Sequence, residues 1–226
     1  MPHSPPLALT IAGSDCSAGA GAQADLKTFT ALGCYGLTAL TSVVAEVPAK
    51  VESIQNLTPE IITAQIEVLA RAMPISGMKT GMLGGRVQIE AVLCGLEHDG
   101  LREVPLVVDP VMIATSGRRL LEEDAMELLM TRLFPRAALI TPNLDEAAVL
   151  LGHKLATKED MERGGRELMA QHGCAVLIKG GHLAGDAADV LVENDTGQAT
   201  WLESKRVSGV HTHGTGCTLS AAITAG

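Results

Sequence analysis

Gly214, Thr215 and Gly216 run directly into Cys217 and then into TLSAAITA, a stretch without a charge. Small residues ahead of an apolar helical run leave backbone N–H groups free at a helix start, with the positive end of the helix dipole behind them. Such a hole suits the negative charge of a transferring phosphoryl group. The same field favours a thiolate, so the spacing predicts a Cys217 of lowered pKa that acts as general base or nucleophile. The alternative is a small buried side chain behind a flexible loop.

Four other groups carry chemistry. Asp109 follows the apolar run PLVV, and Asn143 and Glu146 follow ALIT, three residues apart on one face of the next helix. They read either as a capping box or, with Asp109, as acids that hold Mg²⁺ through water, since magnesium needs only one or two protein oxygens plus substrate phosphate. Lys179 and Gly181 end the strand-like CAVLIKGG, where a lysine can neutralise phosphate or simply close a turn. Met82 lies beside a glycine turn in KTGML, as cavity wall or core filler. His211 and His213 stand at an expected strand end and are not read as metal ligands.

SAGAGAQAD (Ser17 to Asp25) contains G-x-G-x-x-A, with Glu46 placed where a dinucleotide-binding turn would need a ribose acid. The spacing argues against a dehydrogenase. Asp15, Cys16, Ser17 and Ala18 intervene between the first strand and Gly19, whereas that fingerprint turns directly into its helix. A substrate loop is the better reading.

The elements that must position these groups alternate. LALTIA (Leu7 to Ala12) reads as a strand, Gly21 to Leu32 as a helix, and GLTALTSVVA as a second strand. TPEIITAQIEVLARAM, GRVQIEAVLCGLEHDG, EDAMELLMTRLF, LDEAAVLLG and KEDMERGGRELMAQHG have helical spacing, and ISGMKTG, VPLVVDPV, AALITPN and CAVLIKGG read as buried strands between them. The rhythm then changes: ADVLVEND and QATWLESKRV, joined through DTG, predict an antiparallel hairpin before the final helix. This is an α/β pattern with a mostly parallel sheet, and ligands of such sheets collect beyond the carboxyl ends of the strands.

No repeat or linker marks a boundary, so residues 1–226 read as a single domain. A net charge of −9 argues against a nucleic-acid surface. No apolar run reaches the ~18 residues of a membrane span, and the start lacks a signal peptide's pattern, so a cytoplasmic location without membrane contact is expected. The five cysteines are scattered, with no C-x-x-C pair, which argues against a disulfide framework or structural zinc. The sequence is compatible with a homodimer.

With TIAGSD, GAQADLKTF, KTGML, VVDPVM, TPNLDEA, LIKGGH and HGTGCTLSAAI in this order, the chain resembles the hydroxymethylpyrimidine/phosphomethylpyrimidine kinases of thiamine biosynthesis, in the ribokinase-like superfamily. The resemblance spans nearly the whole chain. It implies a three-layer αβα fold with helices on both faces of the sheet, and ATP-dependent phosphorylation of 4-amino-5-hydroxymethyl-2-methylpyrimidine or its monophosphate. Gly13, Asp25, Glu46, Met82 and Val111 are then expected to surround the pyrimidine. Asp109, Asn143 and Glu146 would organise Mg²⁺ and phosphates, and Lys179 and Gly181 would line the nucleotide site with Asn143. Gly214, Thr215, Gly216 and Cys217 would supply the anion hole and base. Pyridoxal kinase on the same scaffold, and a pyrimidine-binding protein with little catalysis, are the alternatives.

Two departures from the family pattern stand out. The family's usual glutamine in AQN is replaced by Glu46 in AEV. A carboxylate only accepts hydrogen bonds unless protonated, and it repels phosphate, so Glu46 bears on the choice between alcohol and monophosphate. The chain also stops at Gly226 within an apolar helical pattern, where the resemblance implies further helices closing the adenine side.

Overall fold

The computed structural model describes residues 4–48, 50–112, 121–181, 187–207 and 212–226. In chain order the elements are β1 (Leu7–Asp15), α1 (Gly21–Ala31), β2 (Tyr35–Val47), β3 (Lys50–Asn56), α2 (Pro59–Ala72), β4 (Ile75–Thr80), α3 (Arg86–Leu96) and β5 (Leu106–Val108). They continue as α4 (Glu123–Leu128), β6 (Leu139–Ile140), α5 (Leu144–Leu151), α6 (Lys158–His172), β7 (Ala175–Ile178), β8 (Ala187–Val192), β9 (Ala199–Ser204) and α7 (Thr215–Ala225).

Among the described residues the strands form one sheet, in the order β3-β2-β1-β4-β5-β6-β7-β8-β9. β2, β1, β4, β5, β6 and β7 pair in parallel, and β3, β8 and β9 pair antiparallel at the two ends. The hairpin of β8 and β9 follows the sequence pattern. β3 was not foreseen: KVESIQN has only two apolar residues, and its place is fixed by pairing with the long β2.

The side chains of β1 sort the two faces. Leu9 and Ile11 enter a continuous apolar cluster with Ile62, Ile66, Ile89 and Met78, which α2 through α6 cover. Ala8 points the other way, to a smaller cluster with Phe29 of α1 and Ala221 of α7. This is the three-layer αβα arrangement with helices on both faces. Each large buried side chain contributes about 1.5–3 kcal/mol.

Local chemistry sets the helix ends. Asn143 and Thr157 cap α5 and α6 in capping boxes, and left-handed Gly152 and Gly173 stop them. α4 is shorter than its sequence pattern, because Pro135 converts the segment ahead of β6 into a π-helical turn and a 3₁₀ turn. Strand order reverses between β1 and β4, and such a reversal opens a crevice beyond the carboxyl ends of the strands.

Candidate active site

A cavity of about 490 Å³ lies in that crevice, a size suited to a small-molecule ligand. Its wall includes Gly13 from near the carboxyl end of β1, Glu46 from β2, Met82 after β4, and Asp109 and Val111 after β5. Asn143 and Glu146 enter from the start of α5, Lys179 and Gly181 from beyond β7, and Gly214, Thr215, Gly216 and Cys217 from the start of α7. The topology thus gathers all but one of the residues singled out in the sequence. Asp25 is the exception. It was expected beside the pyrimidine, but it is wholly buried behind the wall, where Thr10 Oγ1 donates to its Oδ2 at 2.6 Å and Lys79 Nζ to its Oδ1 at 2.8 Å. His182 and His211 lie outside the described residues.

Two close approaches need glycine. A Cβ on Gly13 would stand 2.6 Å from Met82 Cε and 2.7 Å from Ser42 Oγ. Gly214 has φ +80°, and a Cβ there would lie 1.8 Å from the Gly19 carbonyl oxygen, so the loop after β1 and the start of α7 touch backbone to backbone. Val111, with φ +41°, is a β-branched residue in the left-handed region; strain of this kind costs of order 1–3 kcal/mol and gathers at functional sites.

The loop from Ser17 to Ala20 is organised by Asp15 rather than by a ligand phosphate. Oδ1 accepts the Ser17 N–H at 2.7 Å, and Oδ2 accepts those of Gly19 and Ala20 at 3.1 and 2.8 Å. The amides that a dinucleotide turn would offer to a pyrophosphate are therefore taken by the chain's own carboxylate. His213 Nε2 lies 3.2 Å from the same Oδ2. Burial works against ionisation of Asp15, but the Ser17, Ala20 and His213 contacts outweigh it and hold the carboxyl below its ordinary value. His213 stands in a turn, not at a strand end, and among the described residues no group of His, Cys, Asp or Glu could hold a metal unaided.

Glu46 is anchored through its backbone: the Cys16 thiol donates to its carbonyl at 3.1 Å and its N–H donates back to Sγ at 3.3 Å. Burial pushes its carboxyl up, Asp15 adds to that, and His213 opposes it. Across the cavity Lys179 Nζ donates to Asp109 Oδ1 at 2.9 Å, and Ser220 of α7 and Thr141 approach Asp109 at 3.3 Å. Burial pulls the Lys179 ammonium down, but Asp109 and Glu146 beside it more than restore it.

Glu146 both caps and faces the cavity. The Asn143 N–H donates to Glu146 Oε2 and the Glu146 N–H to Asn143 Oδ1, both at 2.9 Å, and the Met112 N–H donates to Glu146 Oε1 at 3.2 Å. Burial pushes this carboxyl up, Lys179 pulls it down and Asp109 pushes it further up. Asp109 and Glu146 each already accept from protein donors. A Mg²⁺ here would fit as an ion held mainly by waters and phosphate oxygens, with these two acids as its outer support.

At α7 the Thr215 N–H turns back to the Thr212 carbonyl at 3.3 Å, and the helical ladder starts with Thr218 donating to Gly214 at 2.9 Å. Cys217 is half-buried at this end. Its thiol is not lowered, as the helix dipole alone suggested. Burial pushes it up; Lys79 pulls it down, Asp109 and Asp25 push it up again, and the Gly21 N–H pulls it down. The sequence reading missed Lys79, Thr10, Ser220 and the Asp15–His213 contact, although KTGM contains the lysine.

Comparison with known proteins finds relatives across nearly the whole chain. A hydroxymethylpyrimidine/phosphomethylpyrimidine kinase of Rhizobium meliloti is 44% identical, over 97% of this chain and 82% of its own length. The structure of a phosphomethylpyrimidine kinase from Clostridium difficile superposes with TM-score 0.85 and 40% identity, covering 97% of this chain and 89% of the other. An ADP complex of Bacillus subtilis pyridoxal kinase gives TM-score 0.87 and 39% identity, over 98% and 83%. The model of the phosphomethylpyrimidine kinase family matches residues 15–226, and with relatives this similar across nearly its whole length the chain belongs to that family.

Proposed function

We propose that this chain transfers the γ-phosphoryl group of ATP to the hydroxymethyl oxygen of 4-amino-5-hydroxymethyl-2-methylpyrimidine, to its monophosphate, or to both, in thiamine biosynthesis. One observation carries the reading: a single cavity joins the free helix end at Cys217, the Lys179–Asp109 pair and the wall of Gly13, Glu46, Met82 and Val111. Phosphoryl transfer asks chiefly for positioning and charge neutralisation. Lys179 and the Gly216 and Cys217 amides of α7 meet the phosphate charge, the Thr215 amide being held by Thr212, and Glu46 accepts from the amino or hydroxymethyl group of the pyrimidine. Cys217 takes the hydroxyl proton. A Mg²⁺ supported by Asp109, Asn143 and Glu146 would neutralise the phosphates. Burial pushes the Cys217 thiol up, so it releases its own proton to solvent before it acts as base, and cationic charge beside it favours that release.

Equilibrium binding with a single-turnover ATP assay tests this. The pyrimidine should bind and ADP should form, and Cys217→Ala should lower turnover by roughly 100-fold with unchanged circular dichroism. Binding without ADP would make the chain a pyrimidine binder, and faster turnover of pyridoxal would move it to the vitamin kinase alternative. Near-normal turnover of a folded Cys217→Ala would remove the base.

A further inference from the structure

Lys79 is a lysine with no exposure, on a strand at the centre of the sheet. Its neighbours define where it points. A Cβ on Gly77 would lie 2.9 Å from the Thr224 carbonyl oxygen of α7, so Gly77 faces that helix, and Lys79, two residues on, shares its face. Cys217 lies two turns of α7, roughly 10 Å, nearer the cavity than Thr224. Lys79 lies about 7 Å farther along β4 in the same direction, with its stem spanning the rest. A Cβ on Gly81, a cavity-wall residue, would stand 3.5 Å from Lys79 Nζ. The ammonium thus sits directly under the cavity floor at the start of α7. Asp25 Oδ1 holds it at 2.8 Å, and Thr10 holds the other oxygen of Asp25 at 2.6 Å.

Resting on the reading of Cys217 as base, we infer that Lys79 is a positioning residue for the phosphoryl transfer: the fixed counter-charge beneath Cys217 that stabilises the thiolate which then takes the substrate proton. The Cys217 thiol first loses its proton to solvent; the thiolate then takes the substrate hydroxyl proton and becomes the thiol, which releases that proton to solvent before the next turnover, while Lys79 and Asp25 keep their protonation. The other charges acting on Cys217 are Asp25 from α1, Asp109 after β5 and Lys179 after β7, with Glu46, Asp145, Glu146 and His213 on the same cavity wall. Lys79 is distinguished from Lys179 by being sealed off, so no ligand can draw it away. Burial pulls its ammonium down, and Asp25, then Cys217 and Asp109, hold it above its ordinary value.

The test is the pH profile of Cys217 alkylation by iodoacetamide, resolved by peptide mass spectrometry without metal or nucleotide, with exposed Cys16 and Cys94 as internal references. In Lys79→Met/Asp25→Leu, which replaces the pair by apolar side chains of similar volume, the midpoint should rise by about one pH unit or more. Turnover at neutral pH should fall about tenfold with KM for the pyrimidine unchanged, and recover as pH rises. Asp25→Asn keeps the shape but removes the charge that holds the buried Lys79 protonated, so the ammonium should lose its proton and the midpoint should again rise. A midpoint that stays in place in either variant with wild-type circular dichroism overturns the proposal. Wild-type turnover in Cys217→Ala would instead remove the base and leave the alkylation result standing, so the two failures are distinguishable.

Discussion

Two lysine–aspartate pairs flank the start of α7, at nearly the same separation: 2.8 Å for Lys79–Asp25 and 2.9 Å for Lys179–Asp109. They differ in access. Both side chains of the first are 0% exposed, whereas Lys179 keeps 15% and borders the cavity. A sealed pair has no replacement for a lost partner, so splitting it costs folding first, and it reaches the chemistry only through its field on Cys217. A pair on a cavity wall can exchange partners with water or phosphate, so its cost appears in chemistry. Identical ion-pair geometry therefore does two different jobs, and solvent access decides which.

The largest effect should come from splitting the sealed pair. Lys79→Met leaves Asp25 buried without its cation and should cost about 3–5 kcal/mol in urea unfolding, while the double replacement Lys79→Met/Asp25→Leu should return most of it. Equal losses in single and double variants would break the distinction. Next comes Lys179→Met. It should lower kcat/KM about 100-fold, roughly 2.7 kcal/mol, with pyrimidine binding intact and an unfolding midpoint far less changed than in Lys79→Met. A stability loss matching that of Lys79→Met would make the two pairs alike.

The smallest effect sharpens the cavity side of the comparison. Glu146→Gln keeps one acceptor but turns an amide N–H₂ toward backbone donors, and should cost ~1 kcal/mol of stability. It should also raise the Mg²⁺ concentration needed for half-maximal turnover. An unchanged magnesium dependence would leave Glu146 with capping alone.

Much of this was legible in the sequence because the parallel strands are short apolar runs and the polar residues just after them must meet at one edge. That argument places Gly13, Asp109, Asn143 and Lys179 without coordinates. It fails for three kinds of residue. Lys79 reads as a polar strand position; only the packing of α1 and α7 over β4 shows it to be dry. Asp25 sits in a motif that resembles a ligand-binding one, but the nearer cation captures it. Cys217 stands at a helix start, and the dipole is visible in the sequence while the burial that opposes it is not. β3 was missed because an edge strand held by its neighbour needs little apolar pattern of its own.

The contact between His213 and Asp15 joins residues 198 apart in the chain, while Thr10 and Asp25 are only 15 apart. Closing the longer loop costs about 2 kcal/mol more in chain entropy than closing the shorter one. The order of assembly follows. The Thr10–Asp25 bond can form as soon as the first strand and helix emerge during synthesis, whereas the anion hole needs α7 to dock on them. A half-finished chain thus carries the foundation of the proposed phosphoryl site without its reactive edge, which forms only once α7 docks.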